Sequence, residues 1–180
     1  MLKGTEVLRK DHEHVRRLEK IVTKAYQSVE EGKDVPILHL EKITFVISEF
    51  LDAIHYSREE NSYFPCVGVN GDFAREVRNF MVEHQFGKNV AAMLSRNLSR
   101  WKSGEDAREP VGRFLRTYAI YLQDHLSKED KFFDEAEKIL TPEEEKEMYE
   151  YFSSVIATTK KIEEVLKEID YLESTYWFRH

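Results

Sequence analysis

"HYSREE" at residues 55–60 and "HLSKED" at residues 125–130 lie 70 positions apart and share a histidine, a serine, a base and two successive acids at the same offsets. In each, the histidine and the first glutamate are four residues apart, His55 with Glu59 and His125 with Glu129, which makes them neighbours on one helical face. The same shift carries Glu13-His14 onto Glu83-His84, so 41 residues separate a histidine following glutamate from the histidine opening His-x-x-x-Glu in both halves. A helical hairpin has been duplicated.

Helical apolar spacing runs through Leu8, Val15, Leu18, Ile21, Val22, Ala25 and Val29, and again through Ile43, Val46, Ile47, Phe50, Leu51 and Ile54. It stops at EGKDVP (31–36), PCVGVNGD (65–72), KSGED (102–106) and Thr141-Pro142, where turn-forming residues concentrate. The reading is all-α: helices over 4–31, 36–64, 72–103 and 107–139 form an antiparallel up-and-down four-helix bundle over residues 1–140. Thr-Pro-Glu-Glu at 141–144 carries a capping box and starts a fifth helix to about Ser174. That helix, in residues 141–180, bears Tyr149, Phe152, Val155, Ile156, Ile162, Val165, Leu166 and Ile169 on an apolar face. It either packs on the bundle or forms a homodimer interface.

The midpoint between His14 and His55 falls in EGKDVP, and that between His84 and His125 falls at Gly104. Equal distances from a turn mean equal heights in an antiparallel hairpin. His14, His55, His84 and His125 are therefore expected in one layer, with Glu59 and Glu129 one turn on. Such a layer is costly inside a bundle unless something satisfies it. Four imidazoles and two carboxylates suit a pair of borderline metal ions, and the layer lacks the cysteine that a structural zinc usually takes. The competing reading is a metal-free interaction bundle whose polar layer fixes helix register. His12, His39 and His180 have no partner under the 70-residue shift and read as solvated or capping residues. Asp52, Glu13 and Glu83 are candidates, by proximity in sequence, to orient the imidazoles.

Composition narrows the function classes. A net charge of −7 with no basic block argues against nucleic acid. The N-terminus lacks an apolar signal core, and no run of about 20 apolar residues occurs, so the expectation is a soluble, cytoplasmic protein with no membrane contact. The single cysteine, Cys66, reads as a small, partly buried residue near a helix end.

The segments DHEHVRRLEKI, HYSREENSYFP, MVEHQ and HLSKEDKFFDEAEKIL resemble the hemerythrin family, the broad group of HHE cation-binding proteins, over roughly residues 5–152. The resemblance implies a non-haem di-iron centre with oxo or hydroxo and carboxylate bridges. His14, His55, His84 and His125 would be terminal ligands and Glu59 and Glu129 bridges, with manganese or zinc as alternative metals. Oxygen-carrier hemerythrins place a second histidine four residues on in the third helix, where this chain has Lys88, expected to be solvated. They also use an aspartate five after the fourth-helix histidine; this chain offers Asp130 there, but the repeat favours Glu129. The two-glutamate pattern is similar to iron-sulfur repair di-iron proteins, although few residues precede His14 to hold the cysteine-bearing segment common in those. Binding or sensing of oxygen, nitric oxide or peroxide is the implied function. Turnover of nitric oxide or peroxide, or iron donation in cluster repair, is the alternative. Phe45, Ile54, Phe80, Met81, Leu122 and Phe132 are expected to flank the centre.

Overall fold

Gly32 and Gly104, with φ of 77° and 97°, end the first helix of each hairpin, a backbone position that residues with a Cβ disfavour. In the computed structural model, which describes residues 3–180, the chain before Gly32 forms α1 (Gly4–Glu30). The chain before Gly104 forms α5 (Ala74–Lys102). Each helix returns antiparallel: α6 (Arg108–Ala136) behind α5, and a composite arm behind α1. That arm runs through α2 (Ile37–Val46), a π-helical stretch Ile47–His55, α3 (Tyr56–Arg58), a second π-helical stretch Glu59–Tyr63 and α4 (Phe64–Gly68). Helix α1 packs against α6 and α2, and α5 against α6 and α2, closing the four arms into a ring. The chain is a helical bundle, as the spacing of its apolar residues requires.

The apolar interior falls into two clusters. The larger runs from Val15, Leu18 and Ile21 through Ile43, Phe50, Leu94, Leu115 and Leu122. The smaller gathers Leu8, Tyr63, Phe64, Phe80, Phe132 and Phe133. Between them lies a buried polar layer.

The expected fifth helix is broken. α7 (Pro142–Ser153) opens on the Thr141 capping box. Val155 then takes an extended conformation before α8 (Ile156–Ser174) and the short α9 (Tyr176–Arg179). Val155 and Ile156, expected on the apolar face, are exposed at the break. Two docking sites explain the change of direction: Met148 and Phe152 of α7 join the smaller cluster, whereas Val165, Ile169 and Leu172 of α8 join the larger. Among the described residues no helix is long and apolar enough to cross a membrane.

Helix α7 also supplies what α1 lacks. No side chain of the N-cap residue Lys3 satisfies the first amides of α1; instead buried Glu145 accepts from the Thr5 amide at 2.9 Å and the Thr5 hydroxyl at 2.7 Å. A negative group at a helix N-terminus also meets the favourable end of the helix dipole. The approach needs Gly4, where an added Cβ would lie 2.5 Å from the Met148 Cβ. Glu145→Ala should cost about 1–3 kcal/mol in urea unfolding, because a buried amide and hydroxyl lose their acceptor. Exposed Glu143→Ala should change stability by less than about 0.5 kcal/mol; equal effects would contradict the capping role.

Candidate metal centre

The polar layer collects His12 from α1, His55 and Glu59 from the composite arm, His84 from α5, and His125 and Glu129 from α6. All six are buried. Their ligand atoms form two groups, each within 4.8 Å: His12, His55, Glu59 and Glu129 in one, and His84, His125 and Glu129 in the other. The Nε2 atoms point inward. His55 Nε2 lies 3.2 Å from Glu59, His125 Nε2 3.1 Å from Glu129, and His12 Nε2 3.3 Å from Glu129. His84 Nε2 lies 3.4 Å from the second oxygen of Glu59 and 4.0 Å from that of Glu129. Each carboxylate thus reaches both groups.

His14 is not among them. It is half-buried, edge-on to Phe50 with ring centroids 6.0 Å apart, and His12 stands in the layer instead. The two residues lie about 200° apart around α1, so only one can face inward. The reason is the length of the first hairpin. His12 and His55 are 43 residues apart, whereas His84 and His125 are 41 apart. From Gly32 to the N-cap Pro36 is four positions, against three from Gly104 to Ala107. From Pro36 to His55 is nineteen, against eighteen from Ala107 to His125. One extra residue enters the loop, and the π-helical stretch Ile47–His55 absorbs the other within the helix.

Aligned on the turn glycines, the first arms match under a shift of 72, which carries Asp11, His12 and Arg16 onto Glu83, His84 and Lys88. All of these participate. Each imidazole directs Nδ1 outward to an acid from another helix: His12 to Asp130 at 2.8 Å, His55 to Asp11 at 3.4 Å, His84 to Glu60 at 2.8 Å, and His125 to Glu83 at 2.9 Å. Each acid is held by a cation: Asp130 by Arg16, Asp11 by Arg58 at 2.7 Å, Glu60 by Lys88 at 3.0 Å, and Glu83 by Lys128 at 2.9 Å. In the neutral imidazole Nδ1–H donates outward, leaving the Nε2 lone pair directed into the layer. Of the three acids expected to orient imidazoles, only Glu83 does so. Glu13 is exposed, and Asp52 contacts no histidine of the layer. Lys88, expected to be solvated, is tied to Glu60, and Asp130 supports His12 rather than replacing Glu129.

Burial raises the Glu59 pKa well above the ordinary carboxylate range, and the facing Glu129 charge adds to it. At Glu129 burial acts in the same direction, but His125 and His12 outweigh it and hold the group well below that range. Burial lowers His55 to about 4. At His125 the same penalty is overcome by Glu129 and Glu83, which raise it to about 9. The layer therefore carries protons that a cation would displace.

His12, His84 and His125 each leave Nε2 buried without a hydrogen-bond partner, as do both carboxylate oxygens of Glu59 and of Glu129. Leaving such atoms unpaired costs about 1–3 kcal/mol each, and a cation in each group would satisfy them. The donor set fits a metal.

A model of the hemerythrin HHE cation-binding domain matches residues 3–136, and the chain belongs to that family. No curated protein and no solved structure matches it.

His12→Ala should weaken cation uptake by more than the roughly 10–100-fold that losing an outer partner costs, while His14→Ala should leave uptake unchanged; metal analysis after equilibrium dialysis distinguishes them. Loading near pH 7 should also release about one to two protons, chiefly from His125 and Glu59, with His12 also raised, its burial penalty outweighed by Asp130 and Glu129. Calorimetric titration in two buffers of different ionisation enthalpy measures this, and zero release would contradict a protonated layer.

Proposed function

We propose that this layer holds two iron ions and that the protein binds or senses a small oxygen- or nitrogen-centred ligand: oxygen, nitric oxide or hydrogen peroxide. The observation that carries the reading is the set of seven unpaired, buried donor atoms in two groups that share Glu129. Two groups imply two ions. Imidazole and carboxylate without thiolate favour iron over a structural zinc, with manganese the nearest competitor.

When bound, such an ion pair supplies Lewis acidity and one-electron redox steps at two adjacent centres. The protein's own residues do the rest. The outward acids hold four imidazoles in one tautomer, so ligand geometry is set before the ion arrives. Four histidines and two shared carboxylates fall short of six donors per ion, which leaves positions for exchangeable ligands. Phe133 against His12, Phe64 against His84 and Phe80 against His125, with centroids 4.9, 5.6 and 5.7 Å apart, exclude water from one side. Of the apolar residues expected to flank the centre, Phe80 lies against His125, Phe132 is buried behind it against Phe80, and Met81 is exposed on α5.

Turnover of peroxide or nitric oxide, or iron donation in cluster repair, is the second reading, because open positions serve a substrate as well as a sensed ligand. Metal analysis with optical spectra before and after air, nitric oxide and peroxide tests both. Reversible bands support binding or sensing, and continuous consumption of the added molecule supports turnover. Protein purified without metal, whose melting is unchanged by added iron and by His55→Ala with His125→Ala, would leave only the interaction bundle.

A further inference from the structure

The layer departs from its own duplication on one side. Under the 70-residue shift Tyr56 corresponds to Leu126 and Tyr121 to Leu51, and under the 72-residue shift Gly87 corresponds to Val15. Leu126, Leu51 and Val15 are buried, so an apolar side chain fills those positions adequately. Opposite them the chain buries two phenols whose hydroxyls meet at 2.6 Å. Room for the second is made by Gly87, where a Cβ would come within 2.4 Å of the Tyr121 ring.

Both rings lie against the imidazoles. Tyr56 stacks on His84 with centroids 3.7 Å apart and stands 5.7 Å from His55 and 5.9 Å from His125; Tyr121 stacks on His125 at 5.3 Å. The other fully buried tyrosines, Tyr63 and Tyr118, contact no imidazole of the layer. Burying hydroxyls where leucine would serve costs free energy and calls for a chemical role.

We propose that Tyr56, hydrogen-bonded to Tyr121, is a one-electron, one-proton donor to the metal centre; this rests on the metal reading above. The co-reactant is hydrogen peroxide. Its reduction to two waters breaks the O–O bond and takes two electrons and two protons. Tyr56 gives one electron and its phenolic proton; the second electron would come from a bound metal pair and the second proton from solvent. Tyr56 is left as a neutral phenoxyl radical, accepting a hydrogen bond from Tyr121. Loss of the proton with the electron suits the site, because a buried ring whose hydroxyl meets only the Tyr121 hydroxyl has no cationic partner at its oxygen to offset a phenolate charge.

The test uses the full chain loaded with iron(II), its iron content measured, mixed with hydrogen peroxide without oxygen and freeze-quenched for electron paramagnetic resonance. A tyrosyl signal is expected that narrows with ring-deuterated tyrosine, vanishes in Tyr56→Phe and is unchanged in Tyr63→Phe. In Tyr121→Phe the radical should lose its hydrogen-bond signature and decay about tenfold faster, the worth of one such bond. Iron-loaded protein without the signal, or with the same signal in Tyr56→Phe, overturns the assignment and leaves the metal reading standing. Protein that takes up no iron removes both. If Tyr56→Phe fails to fold or load, Tyr121→Phe decides: an unaltered radical overturns the proposal.

Discussion

Two glutamates face each other in the middle of this bundle, and the surrounding structure answers that constraint. Glu59 and Glu129 are fully buried, and burial of a carboxylate is costly unless opposite charge or hydrogen bonds compensate. Around them charge alternates outward: imidazoles, then Asp11, Glu60, Glu83 and Asp130, then Arg16, Arg58, Lys88 and Lys128. The outer acids and bases cancel in number. What remains uncancelled is the inner pair, and protons on the layer cover it only in part. Binding energy for cations is therefore stored in the fold, in unsatisfied buried atoms rather than in exposed charge.

Placing that pair at one height needs four helices in register, and the duplicated hairpin supplies it. Strict duplication would have been the simplest solution, yet the first hairpin carries two more residues between its histidines than the second. Rather than sliding His55 out of the layer, the first loop takes one of them and the π-helical stretch Ile47–His55 takes the other. Such a stretch adds a residue without a full increment of height. Register at the centre is thereby kept while backbone regularity is given up, as expected where burial of six polar side chains outweighs a few weakened helical hydrogen bonds.

The histidine-glutamate pairs are legible because spacing four on a helix is a local rule and its recurrence 70 residues later is hard to mistake. The bundle follows from apolar periodicity and turn residues alone. His12 is not legible by that route. DHEH offers two histidines on opposite faces of α1, and the 41-residue spacing selects His14 because it takes both hairpins to be equally long. Anchoring on Gly32 and Gly104 recovers His12, and with it Asp11 and Arg16, since helix height is counted from a turn and not from a matching letter. The break at Ser154-Val155 has no such marker. Neither glycine nor proline stands there, and the change of direction is set by where α7 and α8 find apolar surface.

That docking ties the C-terminal segment to the centre, even though the family match ends at residue 136. Phe152 of α7 packs under the Arg58 guanidinium at 5.5 Å, Arg58 holds Asp11, and Asp11 accepts from His55. Glu145, about two turns earlier on the same face of α7, fixes the first turn of α1, the helix that carries both Asp11 and His12. A cation stacked on an aromatic ring in a partly desolvated setting gains on the order of 1–2 kcal/mol, and here that energy positions the partner of an imidazole. The segment after the hairpins thus bears on the layer through two independent contacts, one on backbone and one on charge. A disturbance of α7 would reach His12 and His55 first, leaving His84 and His125 held by acids and lysines from the second hairpin and the composite arm.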